Sequence, residues 1–563
     1  MKVCIVGGVA GGATAAARIR RLDENAEIIV FEKSGYVSYA NCGLPYYIGG
    51  VIEDKEDLTL KTPEDFMSRY RVEVRVNSEV TAIDREAKLL TVKKLSDGSE
   101  YTESYDKLLL SPGAKPIRPR IPGADIEGVY TLRTVEDTLK LREVVVQQKP
   151  GSAAVIGGGF IGLEMAENLC DLGIATDIIV RSRQLLPPLD EDMAHIIHTT
   201  FRKNGVRLLF GKNTASFERT EKGVLISFED GDTLLTDMVI LAVGVSPDSA
   251  LAKAAGLATG AKGSIAVDEH MQTSDPDIYA VGDAVEISHL VTGKKTVIAL
   301  AGPANKEARI AADNICGIKS AYKGSAASSV IKIFERTVAI TGINEKTAKA
   351  EGIDYEKVVL FPANHAGYYP GAKNMTLKLL FEKGSGRILG SQIVGFEGVD
   401  KRSDVIATAM QAGLTAAELR ELDLAYAPPY SSAKDPVNVA GFMAENLEKG
   451  LVKQFHWHDI PALREDDSVF LLDTRTPGEY GRGHAEGFAN IPVDELRDRI
   501  DELPAGKTVC IMCQSGLRSY VACRLLEQRG FECRNFSGGY SFYKAVVLDE
   551  QLAEQSFHCG MEK

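Results

Sequence analysis

The 563-residue chain has no window approaching the ~18 consecutive apolar residues of a membrane span, which sets aside integral-membrane functions. It has no basic block, and its formal net charge is −13, so neither nucleic acid nor an anionic membrane surface is an expected partner. Its nine cysteines are an odd number with no disulfide-framework spacing, which points to a reducing cytoplasm in which a few thiols react and most are inert. "CIMC", Cys510 to Cys513, is a lone pair without the second pair a zinc site needs, so no metal is expected. The opening "MKVCIVGGVAGG" is too short for a signal-peptide core and runs into glycines. What remains is ordinary globular composition, 44% apolar and 25% charged, and length enough for three or four domains.

Two glycine-rich loops organise the first half. In "VCIVGGVAGGATAAARIRRLDENAEIIVFEK" the buried strand Val3 to Val6 leads into glycines, an Ala-rich helix and a second strand ending at Glu32. Gly7 and Gly12 are in register with the dinucleotide fingerprint, in which backbone N–H groups at a helix N-terminus cradle a pyrophosphate and a following acid takes a ribose hydroxyl. The middle position is Val9 rather than glycine. In "AAVIGGGFIGLEMAENL" the spacing of Gly157, Gly159 and Gly162 is complete, and Glu164 follows on the helix. The next strand ends in Arg181, Ser182 and Arg183 where an NAD-specific site carries an acid. Those arginines suit a 2′-phosphate, or are a solvated strand end; NADH and NADPH both stay open.

Two loops imply two dinucleotides, most economically a flavin and a nicotinamide sharing one site. "YDKLLLSPGAKP" and "TSDPDIYAVGDAVE" each end an apolar strand in a glycine turn, and Asp283 in the second suits a flavin ribityl hydroxyl. Together these segments resemble the two-dinucleotide-binding flavoprotein disulfide reductases over roughly residues 1 to 445. The resemblance implies FAD contacts at Gly7, Gly8, Gly11, Gly12, Glu32, Lys33, Ser111, Gly113, Gly282 and Asp283. For the nicotinamide it implies contacts at Gly157, Gly159, Gly162, Glu164, Arg181 and Gly244.

Cys42, in "SYANCGLPYY", is by itself a core thiol, a metal ligand or a nucleophile. It lies 30 positions after Gly12, where that family keeps its redox cysteine, but the family's paired position holds Val37. The stretch resembles the single-cysteine branch: coenzyme A disulfide reductases, coenzyme A persulfide reductases, and NADH oxidases or peroxidases. The second electron partner is then a low-molecular-weight thiol, a persulfide sulfur or a sulfenic oxygen. Neighbouring N–H groups and the flavin are expected to hold the Cys42 pKa down. "HAGYYPG" and "YAPPYSSAKD" resemble the coenzyme A disulfide reductase group, in which C-terminal-domain tyrosines of the partner subunit cover the cysteine; packing at a dimer interface is the competing reading. The resemblance implies Tyr368 (or Tyr369) and Tyr426 as donors to sulfur. It also implies coenzyme A contacts at Arg18, Arg21, Ser38, Asn41, Asn305 and Lys434.

The last hundred residues restart the pattern. "VFLLDTRTPGEYGRGHAEGFANIPVDEL" and "VCIMCQSGLRSYVACRLLEQRGF" read as strand–loop and strand–cysteine loop–helix, closely resembling a rhodanese domain. Cys513 begins a loop whose N–H groups make an anion cradle suited to a persulfide, and Arg518 closes it. Four residues separate them, one fewer than in tyrosine-phosphatase-like loops. Gln514 stands where some thiosulfate sulfurtransferases carry a positive charge, which disfavours thiosulfate as donor.

The expected fold is α/β: two Rossmann-like dinucleotide-binding domains, an α+β dimerisation domain and a C-terminal rhodanese α/β domain. The expected divisions are FAD-binding 1–112 and 245–325, NAD(P)H-binding 113–244, dimerisation 326–447, linker 448–454 and rhodanese 455–556. The expected function is a cytoplasmic, homodimeric, FAD-dependent NAD(P)H:coenzyme A persulfide or disulfide (polysulfide) reductase with a sulfur-carrying rhodanese. The alternatives are an NADH oxidase or peroxidase cycling Cys42 through sulfenic acid, and a non-reductive sulfurtransferase.

Overall fold

A computed structural model describes residues 1–559, with side chains described through Leu552, so that the Cys559 side chain lies outside the described residues. The described residues form two compact units, residues 1–185 with 205–327, and residues 186–204 with those from 328 onward.

The first unit holds two parallel five-stranded sheets. One runs Ile278–Ala280, Lys107–Leu110, Lys2–Val6, Glu27–Phe31, Glu73–Arg75, so its edge strand begins 168 residues after the last of the others ends. The other runs Arg207–Phe210, Ala175–Val180, Ser152–Ile156, Met238–Leu241, Val129–Tyr130. Their central strands are continuous apolar runs because both faces are covered, one by helices and the other by antiparallel strands, and Val3, Ile5, Ala154 and Val155 have no exposed surface. Each sheet is accompanied by a three-stranded antiparallel sheet.

The second unit holds an antiparallel sheet ordered Ser329–Ile333, Arg336–Gly342, Ile388–Gly395, Thr376–Glu382, Tyr355–Leu360, packed with the helices Val399–Ala412 and Pro436–Glu448. It also holds a parallel sheet ordered Gln454–Phe455, Cys533–Phe536, Thr508–Met512, Val469–Asp473, Ala489–Asn490. The mixed α/β classes read from the sequence are the ones observed.

The helix Glu191–Lys203 falls inside the expected nucleotide-binding span but packs within the second unit. Lys378, wholly buried, reaches Asp192 at 2.8 Å and Asp190 at 2.9 Å, and also pairs with Glu345. Such a buried cation persists only because several carboxylates surround it. At the same helix His195 and His198 both donate through Nδ1 to one oxygen of Asp549, at 2.7 and 2.9 Å, and Arg202 pairs with its other oxygen.

Candidate active sites

In the first loop the sequence spends glycines where nothing else fits. Gly7 has φ 95°, and a Cβ on it lies 2.1 Å from the Ser111 carbonyl oxygen; a Cβ on Gly12 lies 1.8 Å from the Gly7 oxygen. Gly8 and Gly11 are crowded by Val37 and Ser111. Val9 is the N-cap of the helix Ala10–Leu22 at φ −99°, outside the left-handed region that favours glycine, which explains how the fingerprint tolerates a side chain there. That helix has no side-chain cap and no acid in its first turn, leaving N–H groups for an anionic ligand. Glu32 is buried and accepts from Gly8 N–H at 2.8 Å and Ser34 N–H at 2.9 Å; burial pushes its carboxyl pKa up. Lys33 pairs with Asp248, and Ser111 N–H donates to Val6. Gly113 and Gly282 have φ 72° and 80°. Asp283 accepts from Arg133 at 2.8 Å.

The second loop repeats the design. Gly157 (φ 117°) abuts Ala242, and Gly162 abuts Gly157. Around Gly159, the N-cap of Phe160–Asp171, no protein atom lies within 4 Å of a Cβ position, and again no side chain caps the helix. That open, donor-rich cradle fits a dinucleotide pyrophosphate. Arg181 and Arg183 are exposed just past the strand Ala175–Val180, and Gly244 has φ 115°.

Cys42 lies in the turn Asn41–Gly43 that opens the helix Leu44–Gly49. Ser38, at φ 50°, donates its N–H to Gly8 at 2.8 Å and so ties this segment to the first loop. With its side-chain amide oriented to satisfy both groups, Asn41 donates to the Arg133 carbonyl at 3.1 Å and accepts from its guanidinium at 3.0 Å. Leu44–Gly49 packs on Phe160–Asp171 so closely that a Cβ on Gly49 overlaps the Asn168 amide. There the Tyr46 hydroxyl donates to Glu164 at 3.5 Å, and burial pushes the Glu164 pKa up to about 7.

Cys42 is exposed and has no cysteine partner. The expected lowering of its pKa is not supplied by protein groups: desolvation and then the Glu164 charge push it up, against Arg133. Of the expected coenzyme A contacts, Arg18 pairs with Asp313 at 2.8 Å, Arg21 is exposed, and Asn305, on the neighbouring helix Ala301–Ile315, accepts from Thr14.

In the second unit the tyrosines meet. Tyr368 and Tyr426 are exposed by 76% and 47%, and their hydroxyls lie 2.7 Å apart. Behind Tyr426 a cavity of about 420 Å³ is lined by His365, Lys401, Arg402 and Tyr430. Arg402 is buried, bonded to Asp435 at 2.9 Å and to the Asn364 carbonyl at 2.9 Å, which fixes the loops that carry both tyrosines. Lys434 is exposed one residue before Asp435.

The last loop cradles a sulfur. The strand Thr508–Met512 delivers Cys513, buried, to the N-terminus of the helix Leu517–Glu527. Its Sγ accepts from Gly516 N–H at 3.1 Å and from the Ser519 hydroxyl at 3.2 Å. Arg518 does not close over the sulfur alone: both terminal nitrogens bond Glu479, at 2.7 and 2.8 Å. Cys510 is inert in the core, its pKa pushed up to about 11 by burial.

The profile described as pyridine nucleotide-disulphide oxidoreductase matches residues 1–308, and that family's dimerisation domain matches 328–436. The chain belongs to the pyridine nucleotide-disulphide oxidoreductase family. A rhodanese-like domain matches 457–545. The coenzyme A disulfide reductase of Staphylococcus haemolyticus is 36% identical over 447 residues, 79% of this chain and 100% of that protein. The reduced Bacillus anthracis CoADR-RHD structure is 48% identical, with TM-score 0.95 over 97% of this chain and 98% of that one. An NAD-dependent persulfide reductase from A. fulgidus is 39% identical, with TM-score 0.91 over 96% and 100%. The chain is a flavin-dependent pyridine nucleotide oxidoreductase carrying a rhodanese domain. Among the described residues no helix is long and apolar enough to cross a membrane.

Within this family architecture, sequence reasoning missed Arg133, Tyr46 and Ser519. Arg133 precedes a Thr134 capping box and reads there only as a helix start. Ser519 directly follows Arg518, and a small hydroxyl one residue past the loop arginine was a usable signal.

Proposed function

We propose that this chain reduces coenzyme A persulfides and disulfides with NAD(P)H, as a cytoplasmic homodimer whose rhodanese domain carries sulfur as a persulfide. The observation that carries this reading is Cys42: exposed, without a cysteine partner, and fastened through Ser38 and Asn41 to the first dinucleotide loop and to Arg133. A nucleophile so placed needs an external partner. The near-full-length likeness to a CoADR-RHD and to a persulfide reductase supports the choice of substrate.

In this reading the Cys42 thiolate attacks the S–S bond of the substrate. A Cys42 mixed disulfide forms, and sulfide or a thiolate leaves with the electron pair of the broken bond. FAD, when bound, supplies the electron pair from the reduced nicotinamide that returns Cys42 to the thiolate. Tyr368 and Tyr426 of the partner protomer donate to the leaving sulfur, and one phenol orients the other. Glu164, its pKa pushed up to about 7 by burial, acts on Cys42 through its charge and is joined to Tyr46 as a proton store. Arg18, Arg21, Ser38, Asn41, Asn305 and Lys434 hold the coenzyme. Arg181 and Arg183 admit the 2′-phosphate of NADPH. The working divisions are those expected from the sequence, with 455–556 as the carrier.

The test is steady-state turnover of the purified full-length chain with coenzyme A persulfide, coenzyme A disulfide, polysulfide, glutathione persulfide and peroxide, with NADH against NADPH. Coenzyme A substrates should be preferred, with sulfide or thiol released per nicotinamide oxidised. Preference for peroxide or oxygen would replace this reading with the sulfenic-acid cycle.

A further inference from the structure

Two arginines lie at the Cys513 loop, Arg518 within it and Arg475 reaching it from the end of the strand Val469–Asp473, and each is held by a carboxylate. Arg475 is buried against Asp473, its Nη2 at 2.7 Å, and its guanidinium lies 3.8 Å from the Tyr540 ring centre. Arg518 is held bidentately by Glu479 at the partly exposed mouth of the loop. The Cys513 sulfur is itself served by neutral donors only, Gly516 N–H and the Ser519 hydroxyl. Gln514, beside it, is neutral and is held by Ser541 at 2.7 Å. Both arginines thus have carboxylate partners, and the hydrogen bonds to the Cys513 sulfur come from neutral donors.

We propose that Glu479 is the residue that sets the donor class of this sulfurtransfer site: by holding Arg518, it excludes dianionic thiosulfate and leaves the site to persulfides of low-molecular-weight thiols. Glu479 acts through Arg518 and is a positioning residue. The proposal rests on the carrier role given to Cys513 above.

The two donors differ in what they demand. A persulfide loads as Cys–S⁻ + R–S–SH → Cys–S–SH + RS⁻: the bond from Cys513 to the outer sulfur forms, the donor S–S bond breaks, and RS⁻ leaves with its electron pair. Thiosulfate loads as Cys–S⁻ + ⁻S–SO₃⁻ → Cys–S–S⁻ + SO₃²⁻. Here a dianion approaches a thiolate and a dianion leaves, so uncompensated cations are needed at the mouth. A second observation agrees: the Glu479 carboxyl is held down at about 2, chiefly by its hydrogen bond to Arg518, so the pair stays intact across the working pH range.

The experiment uses the full-length chain with cyanide as acceptor, comparing thiosulfate with glutathione persulfide in wild type, Glu479→Gln and Gln514→Arg. Glutamine retains the Thr476 cap that Glu479 makes, so the fold has no reason to change. Glu479→Gln should raise the thiosulfate-to-persulfide ratio of kcat/KM by about tenfold, through a lower KM for thiosulfate. Gln514→Arg, which adds charge without touching the ion pair, should move the ratio the same way. A merely structural role for Glu479 would lower both donors together; that result, or an unchanged ratio in either variant, overturns the proposal. Mass spectrometry of Cys513 separates the two levels of failure. If wild type gains a sulfur atom from persulfide but the ratio does not move, the donor-class inference alone is wrong. If no donor loads Cys513, the carrier reading falls and takes this inference with it.

Discussion

The hydroxyl oxygens of Tyr368 and Tyr426 lie 2.7 Å apart, although the residues are 58 positions apart in the chain. One phenol donates to the other, and the acceptor keeps its own proton to point outward. Hydrogen bonding to Tyr368 raises the Tyr426 pKa, which keeps the Tyr426 phenol protonated at neutral pH.

Removing that donor should affect one half-reaction only. Tyr426→Phe should slow cleavage of the sulfur substrate by about 10- to 100-fold, in the range of a lost oxyanion donor. Flavin reduction by the nicotinamide should stay normal in stopped-flow absorbance. Tyr368→Phe in the same chain should add little further loss, because the pair acts as a unit. A slowed flavin reduction would make the tyrosines structural.

Two glycines of one loop should fail differently. Gly162→Ala forces a Cβ to 2.2 Å from the Gly157 oxygen and should cost about 2 kcal/mol of stability in denaturant unfolding. Gly159→Ala meets no protein atom within 4 Å at φ −87° and should leave the melting temperature unchanged. It should instead raise the nicotinamide KM by about tenfold, since the methyl group enters the space of the pyrophosphate.

The arginines past the second strand should read the 2′-phosphate. Replacing Arg181 and Arg183 with glutamine should raise the KM for NADPH by about tenfold and leave NADH nearly unchanged. Equal effects on both nucleotides would show that the side chains do not meet that phosphate.

Acid should loosen the second unit. Burial holds His456 neutral, its pKa lowered to about 3. The unfolded chain takes up that proton near the ordinary value of about 6.5, so the stabilising contribution is complete above that pH and is lost as pH falls toward 3. His195 and His198 are lowered in the same sense, also by burial. His456→Asn keeps an N-cap acceptor and removes the titration, so its melting temperature should fall less between pH 7 and 4 than that of wild type. Parallel curves would show that His456 does not contribute.

The glycine loops were legible because backbone geometry demands glycine at Gly7 and Gly12, whatever the surroundings. Sheet class was legible because strands buried on both faces read as continuous apolar runs. The meeting of Tyr368 with Tyr426 was available only through family resemblance, since no local spacing marks two exposed loop aromatics as partners. Three features were not legible. Arg133 serves Asn41 and Asp283 across the fold, Lys378 gathers acids from the helix Glu191–Lys203 and its approach, and Arg518 gives its charge to Glu479. Each joins segments distant in sequence, and a charged residue carries no periodicity that names its partner. The protein setting of Cys42 was not legible for a related reason. Its desolvation and the nearby Glu164 depend on how Leu44–Gly49 packs against Phe160–Asp171.

The most direct measurement is turnover of coenzyme A disulfide and coenzyme A persulfide by full-length Cys42→Ser and Cys513→Ser, followed by nicotinamide oxidation. Cys42→Ser should abolish reduction of both substrates while flavin reduction by the nicotinamide persists. Cys513→Ser should retain reduction of both small substrates and lose sulfur transfer to cyanide. If Cys42→Ser still reduced either substrate, or if Cys513→Ser lost coenzyme A disulfide reduction to the same extent, Cys42 would not be the independent entry point for sulfur, and the account would be wrong.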